Sequence, residues 1–152
     1  SDMKATNTMT LTFDSLPVNE GFARSAVAGF FAQLDPTVEE LCDIRTAVSE
    51  AVTNSIVHGY RYSQGKVRMT ARIYDGRKIQ IIIRDTGCGI ENIEQAMEPL
   101  YTTDPEGERS GLGFSVMQSF MDTVRVTSAP GKGTTVTMQR VLSPLAEETQ
   151  QE

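Results

Sequence analysis

The sequence predicts an α+β fold in a single domain. Two patterns carry this prediction. In some stretches apolar and polar residues alternate, which is typical of strands, and in longer stretches apolar residues recur every three or four positions, which is typical of helices. The two patterns interleave along the chain, and its 152 residues are enough for one domain with a buried core.

The alternating stretches predict the strands of one sheet. They cover residues 9–14, 66–74, 78–85, 124–128 and 134–138. The first reads as an edge strand. The turn signal Asp75-Gly76 joins the second and third strands and predicts an antiparallel hairpin, and Pro130-Gly131-Lys132-Gly133 separates the last two.

The helical pattern predicts a first helix over 18–34 and a second that ends at His58, with Gly59 as its stop signal. Two starts are open for the second helix. Either Asp35 caps it with Pro36 at the first helical position, or Thr37 caps it in a capping box with Glu40. A short helix over 91–97 and a third main helix over 111–121 follow, and the long stretch 85–110 is typical of a lid or binding loop.

A polar stripe marks the second helix. Glu50, Asn54 and His58 recur every fourth residue and therefore lie on one face, while Val48 and Val52 lie on an apolar sector. A carboxylate and a carboxamide held on one rigid helix favour a site for a metal ion and a nucleophile. Taken alone, such a stripe is more often a solvated face.

Two glycine-containing segments add to this stripe. Asp85 ends a hydrophobic strand and is followed by Gly87 and Gly89, which let the backbone approach a flat ligand; a buried aspartate without a cation needs a donor such as the exocyclic amine of adenine. Gly111 and Gly113 begin the third helix, where free amide groups bind phosphate. Each segment alone is weak evidence: an ordinary strand-end turn is the better explanation of an isolated first segment, and glycine-rich helix starts also serve packing.

Composition excludes several other classes of protein. The net charge of -6 argues against a nucleic-acid binder, and the two cysteines and single histidine are too few for zinc or Ser-His-Asp chemistry. No GxxxxGK[ST] segment occurs, so a Walker P-loop is absent. Without a signal peptide or an apolar run long enough to span a membrane, we expect a reduced, cytoplasmic protein.

In order along the chain, these segments resemble the N, G1, G2 and terminal GT motifs of the GHKL ATPase superfamily. The matching residues are Glu50-x3-Asn54-x3-His58, Asp85-x-Gly87-x-Gly89, Gly111-x-Gly113 and Gly131-Lys132-Gly133-Thr134. The resemblance implies the Bergerat fold, a two-layer sandwich with helices on one face of a mixed, mostly antiparallel sheet. We place this domain at 9–142. Residues 1–8 are expected to be a tag remnant and disordered, and 143–152 a disordered acidic tail.

Within the superfamily the chain is similar to the small anti-sigma serine kinases. The matching stretches are 22–24, 33–37, 48–54, 58–60, 99–103 and 108–111. The resemblance implies a homodimer that binds ATP or ADP with Mg²⁺, sequesters an RNA polymerase sigma factor of sporulation and phosphorylates a serine of a STAS-type anti-anti-sigma protein. The alternative is a nucleotide-sensing binding module, either a kinase-dead anti-sigma factor or a histidine-kinase-like ATPase domain. The sequence identifies neither the sigma factor nor the nucleotide affinities.

The resemblance also implies roles for individual residues. It makes Glu50 the general base and Arg109 the group that neutralises transferred charge or contacts the protein substrate. Asn54 would bind Mg²⁺, and Arg24 would contact a partner. The predicted nucleotide-binding residues are Asn54, Asp85, Gly87, Gly89, Thr102, Thr103, Ser110, Gly111, Gly113, Thr134 and Thr135. Asp104 stands where the family often has a lysine in its lid.

Overall fold

A computed structural model describes residues 4–98 and 112–146 of the chain. The strands are β1 Asn7–Asp14, β2 Lys66–Tyr74, β3 Lys78–Asp85, β4 Thr123–Ala129 and β5 Gly133–Val141. The helices are α1 Asn19–Phe31, α2 Val38–Thr53, α3 Ile93–Ala96 and α4 Phe114–Phe120. No helix among the described residues is long and apolar enough to span a membrane.

The five strands form one sheet in the order β1-β2-β3-β5-β4, with β1 at an edge as predicted. All four pairings between described strands are antiparallel, so the parallel pairing implied by a mixed sheet does not occur among them. The α+β sandwich is otherwise confirmed. Strand β1 begins at Asn7, before the predicted start at residue 9, because Thr6 already pairs its backbone with Ile73.

The two faces of the sheet differ in chemistry. On the inner face Ile79, Ile81 and Ile83 of β3 are buried beneath the helices, and each such side chain contributes about 1.5–3 kcal/mol through burial. On the outer face Arg68 and Arg84 are exposed and stand opposite each other in register. This alternation places the core, and everything that the helices enclose, on one side of the sheet.

Helix α2 begins at the second of the two predicted starts. The Thr37 hydroxyl accepts from the Glu40 amide at 3.0 Å, and the Glu40 carboxylate accepts from the Thr37 amide at 2.9 Å, which completes a capping box. Asp35 instead ends the turn that follows α1, in a left-handed conformation with φ 49°. The other Glu40 oxygen accepts from the Ser143 amide at 2.8 Å, so the chain is fixed at least as far as Ser143.

The end of α2 differs from the prediction. After Thr53 the backbone widens into a π-helical segment, Asn54–Gly59. The Tyr60 amide then donates to the Ser55 carbonyl at 2.8 Å, five residues back. A π-helical segment turns side chains away from their α-helical positions, and such segments are frequent at functional sites. The polar stripe predicted on a regular helix is therefore regular only as far as Asn54.

Candidate functional site

A cavity of about 1140 Å³ opens between the π-helical segment and the sheet. Its described walls come from the π-helical segment, the end of β3, the region of α3, the start of α4, and the neighbouring parts of β4 and β5. A space of this size accommodates a ligand as large as a nucleotide. The cavity therefore lies where Asn54 and Asp85, two of the predicted site residues, come together.

Asp85 lies in the cavity wall, and we call the part of the wall around it the Asp85 end. It is 4% exposed, and its two carboxylate oxygens accept hydrogen bonds from the Ser55 hydroxyl at 2.8 Å and from the Gly87 amide at 2.9 Å. Burial raises the pKa of Asp85 above its ordinary value of 3.8, and these bonds, with one from the Thr134 backbone, oppose the rise. A carboxylate has about four acceptor sites, so Asp85 keeps the capacity to accept from a ligand.

The glycines after Asp85 have different roles. A Cβ on Gly87 would lie 2.3 Å from the Gly59 carbonyl oxygen, so close packing of two backbone segments requires glycine there. Gly87 is not among the residues that line the cavity, whereas Gly89 is. We predicted both as ligand contacts. The structure instead gives Gly87 the role of fixing Asp85, through its amide and through this packing.

Asn54 also lies in the cavity wall, and we call the part of the wall around Asn54 and Leu112 the Asn54 end. Its amide nitrogen donates to the Leu112 carbonyl, which fixes the orientation of the carboxamide. The Oδ1 atom of Asn54 is buried and accepts no hydrogen bond from any residue that the structure describes. A buried polar atom without a hydrogen-bond partner raises the free energy of the folded protein, so a ligand or ion that binds Oδ1 would remove this unfavourable contribution.

Glu50 lies one turn before Asn54, against the start of α4. A Cβ on Gly113 would lie 2.2 Å from Glu50 Oε2, and Gly113 has φ 74°. Glycine is therefore required both by the close approach of the carboxylate and by the left-handed backbone. Glu50 itself is not among the residues that line the cavity, although Ala51 and Asn54, which follow it in the chain, are.

Arg24 lies outside the cavity, on α1. Its guanidinium forms an ion pair with Glu20 at 3.1 Å, one helical turn earlier. Glu20 in turn accepts a hydrogen bond from the Ser49 hydroxyl, and Ser49 directly precedes Glu50 on α2. The predicted partner-binding residue is thus connected to the helix that carries the predicted base.

The two predicted threonines of β5 lie on opposite faces of the sheet. Thr134 lines the cavity, stands opposite Asp85 in register and shares a 2.8 Å hydrogen bond between its hydroxyl and that of Ser128. Thr135 points to the other face of the sheet, since successive side chains of a strand alternate. Its neighbour in register is the exposed Arg84. The sequence left Thr134 and Thr135 as equivalent because it did not give the register of β5.

Several predicted residues lie outside the described part of the chain. They are Thr102, Thr103, Arg109, Ser110 and Gly111, and Asp104 falls there too. Their predicted roles therefore stay predictions. Arg61 also lines the cavity, although no role is predicted for it from the sequence; His58, which the polar stripe placed on the face of Asn54, lines the cavity too. In the sequence, Arg61 is marked only by its position two residues after Gly59, because the helical periodicity ends before it.

The chain is similar to known proteins over most of its length. Residues 13–140 match the model of the histidine kinase-like ATPase domain. Among curated proteins it is similar to the anti-sigma F factors of Clostridium kluyveri (54% identical over 140 residues, 92% of this chain and 98% of that protein) and Thermoanaerobacter pseudethanolicus (56% over 140 residues, 92% and 97%). That of Oceanobacillus iheyensis is 55% identical over 138 residues, 90% of this chain and 94% of that protein.

Solved structures agree on the fold. The structure of RsbU and RsbW domains from Mycobacterium tuberculosis aligns with a TM-score of 0.68 and 21% identity, over 93% of this chain and 34% of that one. A histidine kinase domain from Erythrobacter litoralis aligns with a TM-score of 0.53 and 20% identity, over 81% and 61%.

Fold and cavity are those of a histidine kinase-like ATPase domain. The chain belongs to that family, and within it to the group of the anti-sigma F factors.

Proposed function

We propose that this chain is an anti-sigma factor that binds ATP with Mg²⁺ in the cavity and, as a protein-serine kinase, phosphorylates a serine of a STAS-type antagonist. The observation that carries the proposal is the buried Oδ1 atom of Asn54, fixed at the cavity wall one turn after Glu50. Membership of a family of ATPase domains supports nucleotide binding, and the name of the relatives supports the anti-sigma role.

The residues present fit a magnesium ion that is shared with a nucleotide. Mg²⁺ prefers oxygen ligands and keeps several waters, so one amide oxygen with phosphates and water is a sufficient set. In the described part of the chain no three His, Cys, Asp or Glu side chains cluster so as to hold a metal ion by themselves. Asn54 would therefore hold the ion only together with the phosphates, whose negative charge the ion neutralises when bound.

Asp85 fits recognition of the adenine base. Its carboxylate already accepts from Ser55 and Gly87, which hold it at one orientation, and it retains acceptor capacity toward the cavity. The exocyclic amine of adenine would supply the additional donor. Thr134, opposite Asp85 in register, borders the same end of the cavity and is the threonine able to assist.

Glu50 fits the role of base in the transfer step. In that step the serine oxygen of the antagonist forms a bond to the γ-phosphorus, the bond from that phosphorus to the bridging oxygen breaks, and ADP leaves. Glu50 would accept the proton of the serine hydroxyl, and its position against Gly113 keeps the carboxylate at the start of α4. Arg109, Thr102, Thr103, Ser110 and Gly111 are proposed to complete the site from the segment between α3 and α4.

The partners are proposed from the relatives and from α1. A sporulation sigma factor and the STAS-type antagonist would both meet the surface that carries Arg24. Phe22 is 52% exposed and Val18 is 77% exposed on the same helix region, so an apolar surface is available there. We further propose a cytoplasmic homodimer without direct contacts to nucleic acid or membrane, with 9–142 as the functional domain.

The test is transfer of labelled γ-phosphate from ATP to the STAS-type antagonist, with and without Mg²⁺. Metal-dependent labelling of a serine is the expected result. If ATP binds but no label moves, the chain is a nucleotide-sensing binding module and the kinase proposal fails. If ATP does not bind, the proposal fails at its first step.

A further inference from the structure

The cavity walls carry an unbalanced set of charges for an anionic nucleotide. Among its described lining residues the acids are Asp85, Glu91 and Glu94, and Arg61 is the only lysine or arginine. No ion pair or hydrogen bond joins the Arg61 side chain to any residue that the structure describes, and the residue is exposed. Arg61 is therefore a cation at the cavity wall whose donors are available to a ligand.

The backbone at Arg61 is strained. Arg61 has φ 52° and the next residue, Tyr62, has φ 64°, a left-handed pair without glycine. Such conformations cost about 1–2 kcal/mol per residue for side chains other than Gly, Asn and Asp. Strain of this kind persists where the surroundings enforce it, and it clusters at binding sites.

Hydrogen bonds on both sides enforce this conformation. The Tyr60 hydroxyl donates to the Lys66 carbonyl at 2.5 Å and accepts from the Thr86 amide at 2.8 Å. The Tyr62 amide donates to the Ile56 carbonyl at 3.1 Å. The loop is thus anchored to the π-helical segment and to β2 and the end of β3, and Arg61 is presented from a fixed backbone.

The same anchors show which end of the cavity Arg61 borders. Gly59 packs against Asp85, since a Cβ on Gly59 would lie 3.2 Å from that carboxyl group, and the Cys88 amide donates to the Gly59 carbonyl at 2.8 Å. Arg61 follows two residues later. Arg61 therefore lines the cavity close in the chain to the segment that packs against Asp85, and we assign it to the Asp85 end.

We propose that Arg61 is a nucleotide-binding residue that contacts the base and ribose of the bound adenine nucleotide. A guanidinium stacks on a flat base and donates to ribose hydroxyls, which suits a planar cation at the Asp85 end. This inference rests on the proposed nucleotide binding. It adds a specificity residue to the Asp85 end and explains why a strained backbone is retained there.

The test compares two substitutions that both tolerate a left-handed backbone. Arg61→Asn removes the guanidinium, and the matched control Tyr62→Asn relieves the same kind of strain at the neighbouring position, which does not line the cavity. Binding of ATP, ADP and adenosine to the full chain is measured by calorimetry, and folding by thermal melting.

We expect Arg61→Asn to weaken all three ligands by a similar factor, about tenfold for the loss of a charge-assisted contact, without lowering the melting temperature. Tyr62→Asn should bind like the wild type. Unchanged affinities in Arg61→Asn, or a loss confined to ATP and ADP, would overturn the proposal. If the wild type binds none of the three ligands, the proposed function itself fails, which is a separate outcome.

Discussion

The two ends of the cavity satisfy their polar groups in opposite ways. At the Asp85 end both oxygens of Asp85 accept hydrogen bonds from the protein, and the surrounding backbone is packed too tightly for a Cβ at Gly87. At the other end the Asn54 amide nitrogen is held by Leu112, but its Oδ1 atom has no partner among the described residues.

This difference separates two tasks. An end whose carboxylate is already held in one orientation by the protein is preorganised, and it selects a ligand by shape and through the acceptor capacity that remains. An end that leaves a buried oxygen without a hydrogen-bond partner gains the most binding free energy when an ion or ligand binds to that oxygen. We therefore assign recognition of the adenine base to Asp85, and we assign metal binding to Asn54 and the metal-dependent phosphoryl transfer to Glu50.

The largest effect is expected at the Asn54 end. Glu50→Gln keeps the size of the side chain beside Gly113 but removes the base, so phosphoryl transfer should fall by about 10²-fold or more. ATP binding should stay as in the wild type, because Glu50 does not line the cavity. Single-turnover transfer to the antagonist and calorimetry with ATP give the two readouts. Undiminished transfer would remove Glu50 from the mechanism.

At the Asp85 end, Asp85→Asn should weaken the binding of ATP and of ADP alike, by roughly tenfold or more, because the side-chain amide has only one acceptor oxygen. The control is Ser55→Ala, which removes a protein donor to Asp85 but leaves the carboxylate, and it should cost less affinity. Equal binding by Asp85→Asn and the wild type would show that the carboxylate does not meet the ligand.

The pH dependence of binding gives a finer test of the same end. Burial raises the pKa of Asp85 above 3.8, so its contribution to folding is greatest below 3.8 and is lost as pH rises through the raised value. The pH dependence of ligand binding has the opposite sign, because the charged carboxylate of Asp85 is the form that accepts a hydrogen bond from the exocyclic amine of adenine. Affinity should therefore fall as pH drops through the raised pKa, and this fall should be absent in Asp85→Asn.

A smaller effect, on stability alone, is expected far from the cavity. Burial opposes ionisation of Glu40, but hydrogen bonds from Ser143 and Thr37 hold its pKa below 4.5. Its contribution to folding is therefore present above 4.5 and lost as pH falls through the lowered value. At neutral pH Glu40→Gln should cost about 1–3 kcal/mol in denaturant unfolding, because the amide has one acceptor oxygen instead of two and a hydrogen bond to a charged group from Thr37 or Ser143 is lost.

The control for this prediction is Glu39→Gln, an exposed acid in the same first turn of α2. It should change the free energy of unfolding by less than about 0.5 kcal/mol. If both variants have the same stability at neutral pH, the bonds from Glu40 to Thr37 and Ser143 do not stabilise the fold. ATP binding should be unchanged in both, since neither residue lines the cavity.

Much of this fold could be predicted from local patterns. Residues 66–74 alternate throughout, 78–85 are predicted as a more apolar, more buried strand, and the two form β2 and β3 within the same bounds. The capping-box residues Thr37 and Glu40 mark the start of α2, although the sequence alone did not choose between the two starts. These features depend on neighbours in the chain, which the sequence displays directly.

The site could be predicted less completely, because its geometry depends on contacts between distant segments. The periodicity gives no sign of the π-helical segment, which precedes the strained loop with Arg61. The register of β5, which separates Thr134 from Thr135, is set by pairing with β3. The packing of Gly87 on Gly59 also joins segments that are far apart in sequence.

The most direct test of the division between the two ends is ATP affinity with and without Mg²⁺, measured for the wild type, Asn54→Ala and Asp85→Asn. We expect Mg²⁺ to strengthen binding in the wild type and in Asp85→Asn, which should be weaker throughout, and to have no effect in Asn54→Ala. A full response to Mg²⁺ in Asn54→Ala would contradict the assignment of the metal to Asn54, and with it the proposed division of the cavity.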